Sequence, residues 1–166
     1  MMSAVELADQ ALAWLKNNYA NHTFFTERDI VWTVQTYLNE QGEKLGYQIY
    51  SDFPIEKGTR RSLCADLAIL ADKTVEIALE FKYEPAHSRK NIWQSKFKPS
   101  VVFWNGEHSV AADVKRIKRF VEKDQAKAAC SIFIDEGGFF RQKPPHPGSE
   151  WQDWGNVAVL IARRGK

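Results

Sequence analysis

The sequence predicts a mixed α/β domain, and two kinds of apolar pattern carry this prediction. Three segments repeat apolar residues every three or four positions, as helices with one buried face do. Several shorter segments are rich in β-branched and aromatic residues, which is typical of strands. Two of the helices come first, and the third separates three consecutive strands from the last ones. This alternation indicates a sheet packed against helices rather than a helical bundle or an all-β domain.

The composition is that of an ordinary single domain. The chain has 166 residues, of which 44% are hydrophobic and 27% charged, so we expect one domain over residues 1–166 with a sizeable core. A net charge of +2 excludes a histone-like basic surface, and any contact with nucleic acid has to come from a local patch. The start lacks the pattern of a secretory signal, and no apolar run approaches the roughly 20 residues of a membrane span. We therefore expect a cytoplasmic protein with no membrane segment.

The two helices at the start are predicted from apolar spacing and capping residues. Apolar residues recur at helical spacing over residues 3–19, which predicts the first helix. Thr26 and Asp29 have the spacing of a capping box, so the second helix should begin there and run to about Glu40. A strand is predicted over residues 47–53, before Pro54.

The remaining elements follow from short apolar runs and one more helical stripe. Strands are predicted over residues 63–71 and 75–83, with residues 72–74 as their turn, and a short strand over residues 101–105. Ser109 should cap the third helix, which carries the stripe Val110, Val114, Ile117 and Val121. Strands are also predicted over residues 129–134 and 157–162, and residues 141–156 between them should form a long loop. Cys64 and Cys130 fall in predicted strands and are interpreted as reduced core residues.

The hairpin of residues 63–83 contains charged residues inside apolar strands. Strand alternation places the apolar residues of each strand on one face and puts Asp66, Glu80 and Lys82 on the other. A three-residue turn that pairs Ala71 with Val75 sets Asp66 directly opposite Glu80. The same register gives good apolar matches, namely Leu67 with Leu79 and Ile69 with Ile77. One face of the hairpin should therefore be apolar throughout, while the other presents two carboxylates and a lysine beside small alanines.

Two directly opposed carboxylates repel each other, so something has to relieve that repulsion. A raised carboxylate pKa, the Lys82 ammonium or a divalent cation would each do so. Mg²⁺ suits the arrangement, because it is bound through one or two carboxylates while water and substrate phosphate fill its other positions. Lys82 would then orient or deprotonate a water, or offset charge on a phosphorus-centred transition state. The alternative is a solvated cluster of ion pairs on an exposed sheet face.

The order Asp66, thirteen residues, then Glu80-Phe81-Lys82 resembles the core motif of the PD-(D/E)XK nuclease superfamily. The resemblance implies a restriction-endonuclease-like αβββαβ core over about residues 26–134, with a mixed central sheet flanked by helices. It implies that Asp66 and Glu80 bind Mg²⁺, with Mn²⁺ as a substitute, and that Lys82 acts in catalysis. It also implies that the backbone carbonyl of Phe81 is a metal ligand. Ala65 stands where the proline of the family name would be.

Many members of this superfamily carry a further acidic residue on the first core helix. Glu27 fits that position, because it falls on the inward stripe of the second helix with Val31, Val34 and Leu38. Asp113 and Arg116 on the third helix would either line the cleft or form an ordinary surface pair, and we favour the surface pair.

Basic and aromatic residues on two loops are candidates for contact with nucleic acid. The loop before the Asp66 strand carries Arg60 and Arg61, and the segment after Lys82 carries Arg89, Lys90 and Trp93. Arginine and lysine neutralise phosphates, and tryptophan stacks on unpaired bases.

Together these features predict a Mg²⁺-dependent deoxyribonuclease that acts in repair, recombination or defence, as a homodimer or with a partner subunit. The first alternative is a non-catalytic module on the same fold that binds nucleic acid or protein. The second is an unrelated α/β protein with a chance motif, in which case the three charged side chains would not converge.

Overall fold

The computed structural model describes residues 2–86 and 102–165, and over these ranges the protein is an α/β domain. Its helices are Ala4–Asn18 (α1), Glu27–Gly42 (α2) and Val110–Glu122 (α3). Its strands are Gln48–Pro54 (β1), Cys64–Ala71 (β2), Thr74–Glu84 (β3), Ala128–Asp135 (β4), Ser149–Trp154 (β5) and Val157–Gly165 (β6). From α2 to β4 the order is one helix, three strands, one helix and one strand, as the sequence predicts.

The strands form a single mixed sheet in the order β1-β2-β3-β4-β6-β5. Strands β3 and β4 pair in parallel across the α3 crossover, and the other neighbours pair antiparallel. Helices α1 and α2 share one hydrophobic cluster with one face of the sheet, whereas α3 packs on the opposite face. Within the described ranges, none of the helices combines the length and the apolar character needed to cross a bilayer.

The starts of the helices are set by local capping, which was predicted for α2 and α3 but not for α1. Ser3 caps α1 and accepts the N–H of Glu6, and Ser109 caps α3 and accepts the N–H of Ala112. The carboxylate of Asp29 accepts the backbone N–H of Thr26 at 2.7 Å, which completes the capping box of α2. This cap fixes where α2 begins and hence the position of Glu27.

The two faces of the β2–β3 hairpin divide as the alternation predicts. Leu67 pairs with Leu79 and lies in the cluster that α1 and α2 cover. Ala68 pairs with Ala78 on the other face, in the cluster that also contains Ile117 of α3. Because alanine side chains are short, α3 packs close to the strands and reaches the charged residues that share this face.

The turn of the hairpin differs from the prediction. Ala71 pairs with Thr74 rather than with Val75, so the turn contains only two residues, Asp72 and Lys73, with φ angles of 46° and 66°. Left-handed angles at both central positions are typical of a type I′ hairpin turn, which matches the twist of the strands. A bulge between Ile69 and Leu70 then restores the register farther along the ladder. The predicted apolar pairs, Leu67 with Leu79 and Ile69 with Ile77, are therefore confirmed, although the prediction of a three-residue turn was wrong.

This turn offers a simple test of the hairpin. Asn-Gly is the preferred pair for a type I′ turn, whereas aspartate and lysine at left-handed φ angles are strained. We expect the double substitution Asp72→Asn and Lys73→Gly to raise the free energy of unfolding by about 0.5–1 kcal/mol. Urea denaturation measures this change, with Lys57→Gly on another exposed loop as the control. A destabilised double variant would contradict the two-residue turn.

Three further predictions about this part of the chain were wrong. Residues 149–154 form strand β5 within the predicted loop, because they pair with β6 and bury Trp154 at the end of the sheet. Residues 102–105 are not a strand, and residue 101 lies outside the described residues. Cys130 is buried as expected, but Cys64 is exposed at the start of β2.

Candidate active site

Acidic and basic side chains from four elements meet at the end of the sheet where β2 begins and β3 ends. The members of this charged cluster are Glu27 from α2, Asp66 from β2, Glu80 and Lys82 from β3, and Asp113 and Arg116 from α3. The three residues of the sequence motif therefore converge at this end of the sheet. The cluster contains more carboxylates than cations, so it is poised to attract positive charge.

Asp66 is bound to the backbone of the neighbouring strand. Its Oδ2 accepts the N–H of Phe81 at 2.6 Å, just beyond the last β2–β3 ladder pair, Leu67 with Leu79. The N–H and carbonyl of one strand residue point to the same side, so the Phe81 carbonyl also faces the Asp66 edge. Burial raises the pKa of Asp66 to about 6, although the hydrogen bond from Phe81 opposes this shift. The Asp66 carboxylate and the Phe81 carbonyl thus place two oxygen atoms suited to metal coordination at the strand edge.

Glu80 is the most deeply buried carboxylate of the charged cluster, with 2% of its surface exposed. Its Oε2 accepts a hydrogen bond from Arg116 Nη1 at 2.9 Å, while Oε1 has no hydrogen-bond partner among the described residues. Burial raises the pKa of Glu80 to about 9, and the charge of Asp66 raises it further, whereas Arg116 opposes the shift. A buried acceptor without a partner is costly, so this oxygen marks a place where a cation or a proton belongs.

Lys82 is held by α3 and by the loop before it. Its Nζ lies 3.1 Å from Oδ2 of Asp113 and 3.4 Å from the backbone carbonyl of His108. Asp113 is 3% exposed, and burial raises the pKa of its carboxyl group while Lys82 opposes this shift. Arg116 also lies near Asp113, with Nη2 and Oδ1 3.9 Å apart. The ammonium of Lys82 is thereby held against Asp113 instead of extending into solvent.

Our preference for a surface pair between Asp113 and Arg116 was wrong. Both residues contact the β3 side chains: Arg116 binds Glu80 and Asp113 binds Lys82. The reason is the close packing of α3 on the alanine-lined face of the hairpin, which the spacing of the two residues on their own helix does not reveal. No sequence pattern indicates the contact with the carbonyl of His108, because a backbone contact does not depend on the side chain.

Glu27 faces the charged cluster from the first turn of α2. Burial raises its pKa to about 7, and the negative charge of Asp66 adds to this rise. Lys82 and a backbone hydrogen bond from Tyr83 act in the opposite direction. Glu27 and Asp66 also line one small cleft of about 60 Å³ between α2 and β1. The inward position expected for Glu27 is therefore observed.

The oxygen donors of the charged cluster fit a hard divalent cation. As the side chains stand, no three His, Cys, Asp or Glu residues within 2–86 and 102–165 are grouped closely enough to enclose a metal ion. Mg²⁺ does not require such a cage, because one or two carboxylates commonly hold it together with water and substrate phosphate. Asp66, the free Oε1 of Glu80 and the Phe81 carbonyl form a donor set of this kind. The residues present thus fit Mg²⁺ or Mn²⁺.

The candidate residues for nucleic-acid contact divide into two groups. Arg60 and Arg61 are exposed on the loop between β1 and β2, which lies at the same end of the sheet as the charged cluster. Arg89, Lys90 and Trp93 lie outside the described residues. The roles of all five remain predictions.

Comparison of the chain with family models, with curated proteins and with solved structures gives no match. The resemblance to the PD-(D/E)XK superfamily therefore stays a prediction based on the motif. The geometry of the charged cluster is the observation from which a function can be argued.

Proposed function

We propose that the protein is a metal-dependent nuclease of the PD-(D/E)XK type that hydrolyses phosphodiester bonds in DNA. One observation supports this most: Asp66 and Glu80 lie together at the end of the β2–β3 hairpin with Lys82 beside them, and Glu80 Oε1 is buried without a hydrogen-bond partner. A structural ion-pair cluster would be expected to leave no such acceptor. A site that binds a cation together with its substrate leaves such an oxygen unpaired until the cation arrives.

Each residue of the charged cluster has a role in this proposal. Asp66, Glu80, the Phe81 carbonyl and Glu27 would hold Mg²⁺. When bound, the ion supplies Lewis-acid activation of the phosphate and lowers the pKa of a bound water. Lys82 donates hydrogen bonds to the attacking water or to a phosphate oxygen, where its charge offsets the charge that develops in the transition state.

Two residues of α3 position the side chains of Lys82 and Glu80. Asp113 holds the Lys82 ammonium at 3.1 Å and so restricts its orientation. Arg116 binds one oxygen of Glu80 at 2.9 Å, which leaves the other oxygen to the metal and balances part of the negative charge before a cation arrives. Arg60 and Arg61 on the adjacent loop attract the phosphates of the substrate.

Cleavage assays test this proposal. We expect purified protein to cut DNA in the presence of Mg²⁺ or Mn²⁺ and to lose the activity in EDTA, and we expect Asp66→Asn to be inactive. Plasmid, linear duplex and single-stranded oligonucleotides should each be assayed. Asp9→Asn, which changes an exposed carboxylate paired with Arg163, is the matched control and should retain full activity. Full cleavage in EDTA, or an active Asp66→Asn variant, would exclude this mechanism.

Metal titration separates this enzyme from a binding module on the same fold. Calorimetry should detect a Mg²⁺ or Mn²⁺ site in the wild type that Asp66→Asn lacks. A protein that binds DNA equally well with and without metal, and never cuts it, would identify a non-catalytic module instead.

A further inference from the structure

Helix α3 carries three charged side chains at intervals of three residues, and they contact different parts of the protein. The first two, Asp113 and Arg116, hold side chains of the charged cluster. The third, Arg119, lies farther along α3 and binds Glu56 on the loop between β1 and β2, with Nη2 of Arg119 2.5 Å from Oε1 of Glu56. One helix therefore holds both the charged cluster and the neighbouring loop.

Glu56 also ties together the base of this loop. Its Oε2 accepts the backbone N–H of Leu63 at 3.5 Å, and its own backbone N–H donates to Oγ of Ser62 at 2.7 Å. The backbone N–H of Ile55 donates to the carbonyl of Leu63 at 2.9 Å, and the Ile55 side chain is buried in the apolar cluster that α3 covers. The base of the loop is consequently held in place before any ligand binds.

The tip of the loop presents positive charge that the protein does not neutralise. Its exposed residues include Lys57, Arg60 and Arg61, which we call the basic tip. Within residues 2–86 and 102–165, none of these three side chains lies in an ion pair. Glu56 is the only acidic residue of the loop, and Arg119 balances its charge. Unneutralised cations on a preformed loop suit an anionic polymer such as a nucleic-acid backbone.

The basic tip lies close to the charged cluster along the chain. Arg61 precedes Asp66 by five residues, so their Cα atoms are at most about 18 Å apart. One nucleotide of a DNA strand advances by about 3.4 Å, and this distance therefore corresponds to roughly five nucleotides. The basic tip is thus within reach of phosphates that flank a bond held at the charged cluster. Phosphates are the same in every sequence, so such contacts position the DNA without reading its bases.

We propose that the basic tip binds backbone phosphates beside the scissile bond irrespective of sequence, and that Glu56 and Arg119 are the positioning residues that hold it there. This inference rests on the proposed nuclease function, because it assigns a DNA contact to the same site. Lys57, Arg60 and Arg61 then act as one preformed surface instead of separate charges on a free loop, which lowers the entropic cost of binding.

The salt dependence of DNA binding in EDTA tests the phosphate contacts without cleavage. Each neutralised phosphate of a duplex contributes about 0.9 to the slope of log K against log salt. We expect the triple variant Lys57→Gln/Arg60→Gln/Arg61→Gln to have a slope smaller than that of the wild type by about 2 to 3. Fluorescence anisotropy over about 50–200 mM salt measures the slope. Two labelled duplexes of unrelated sequence should lose affinity equally.

A triple variant at the other end of the sheet is the matched control. It removes three exposed lysines outside ion pairs, which lie in the segments before β1, between β2 and β3, and before β4: Lys44→Gln, Lys73→Gln and Lys123→Gln. Its slope should stay within about 0.5 of the wild-type value. An unchanged slope for the tip variant, an equal fall for the control, or clearly unequal losses on the two duplexes would overturn the inference.

The variant Glu56→Ala tests the positioning role, because two explanations predict opposite signs. Removing a negative charge from a DNA-binding loop tightens binding if charge alone matters, whereas a tip without its anchor binds more weakly. We expect Glu56→Ala to raise KM for DNA by about 3- to 10-fold while kcat stays within about 2-fold, which also shows that the fold and the metal site are intact. Glu122→Ala, which removes an exposed acid paired with Lys118, is the control and should not raise KM. An unchanged or lower KM for Glu56→Ala would exclude the positioning role.

The two proposals fail in distinguishable ways. Metal-dependent cleavage with an unchanged salt slope in the tip variant leaves the nuclease proposal intact and removes the phosphate contact. A reduced slope in the tip variant, with no cleavage by the wild type, contradicts the nuclease proposal while the phosphate contact stands.

Discussion

Replacing Lys82 by methionine should lower the rate of Mg²⁺-dependent DNA cleavage by about 10²- to 10³-fold, the loss typical when one donor to a developing charge is removed. Methionine keeps an unbranched side chain of similar length, so packing beside α3 changes little while the ammonium is lost. The effect should fall mainly on kcat, because the charge on the phosphate group develops in the transition state. Single-turnover kinetics with excess enzyme measures the chemical step directly.

Two controls accompany the Lys82→Met variant. Lys127→Met removes an ammonium just before β4, which lies 2.7 Å from Glu76 Oε1 and is not part of the charged cluster. This variant should cleave like the wild type. Lys82→Met leaves the buried Asp113 without its closest cation, so the double variant Lys82→Met/Asp113→Asn shows whether any loss comes from misfolding. Cleavage by Lys82→Met within about 2-fold of the wild type would exclude a catalytic role for Lys82.

Replacing Glu80 by glutamine should stabilise the metal-free protein at alkaline pH, by on the order of 5 kcal/mol at pH 8. Burial and the charge of Asp66 raise the pKa of Glu80 from 4.5 to about 9 in the folded state. Between these two values the folded protein binds more protons than the unfolded chain does, so the wild type loses stability as the pH rises. Glutamine has no such titration, and Arg116 keeps Asp113 as a partner.

Urea denaturation in EDTA at pH 5, 7 and 8 measures this difference. The two proteins should be about equally stable at pH 5, where Glu80 is protonated in the folded state and resembles glutamine, and the gap should widen toward pH 8. Glu76→Gln on the same strand removes a partly buried carboxylate that is paired with Lys127 and is the matched control. A gap that does not depend on pH, or a less stable Glu80→Gln variant at pH 8, would contradict the assigned burial of an unpaired Glu80 oxygen.

Mg²⁺ should reduce this difference in stability. Mg²⁺ at about 100 times its Kd should stabilise the wild type by about 2.7 kcal/mol, since a ligand that binds only the folded state shifts the equilibrium by mass action. The Glu80→Gln variant should gain much less, because glutamine has lost the carboxylate charge that attracts the cation. One substitution would thus raise the stability of the metal-free protein and remove its response to metal.

The hairpin shows why a correct prediction can come from a wrong detail. Alternation of apolar residues in β2 and β3 predicts which residues share a face, and this depends only on the two-residue period of a strand. The turn was placed one residue too long, yet the bulge at Ile69 and Leu70 compensates and the pairs Leu67–Leu79 and Ile69–Ile77 are as predicted. Burial of the apolar face selects the register more strongly than the turn does.

Strand β5 and the exposed Cys64 show where local patterns are insufficient. Residues 149–154 lie in a stretch rich in proline, glycine and tryptophan, and they become a strand because β6 offers an edge with which to pair. Cys64 begins a strand, but its exposure depends on what covers that end of the sheet. Pairing partners and covering elements are distant in sequence, so a local pattern does not indicate them.

By itself the sequence determined the order of the elements from α2 to β4, the caps of α2 and α3 and the face that Asp66, Glu80 and Lys82 share, because periodicity and capping are local properties of the chain. Only the tertiary structure decided that Asp113 and Arg116 belong to the same cluster and that one oxygen of Glu80 is left without a partner among the described residues. These features arise where α3 packs against the sheet. Packing between distant segments depends on the shapes of both surfaces, and no spacing within one segment records it.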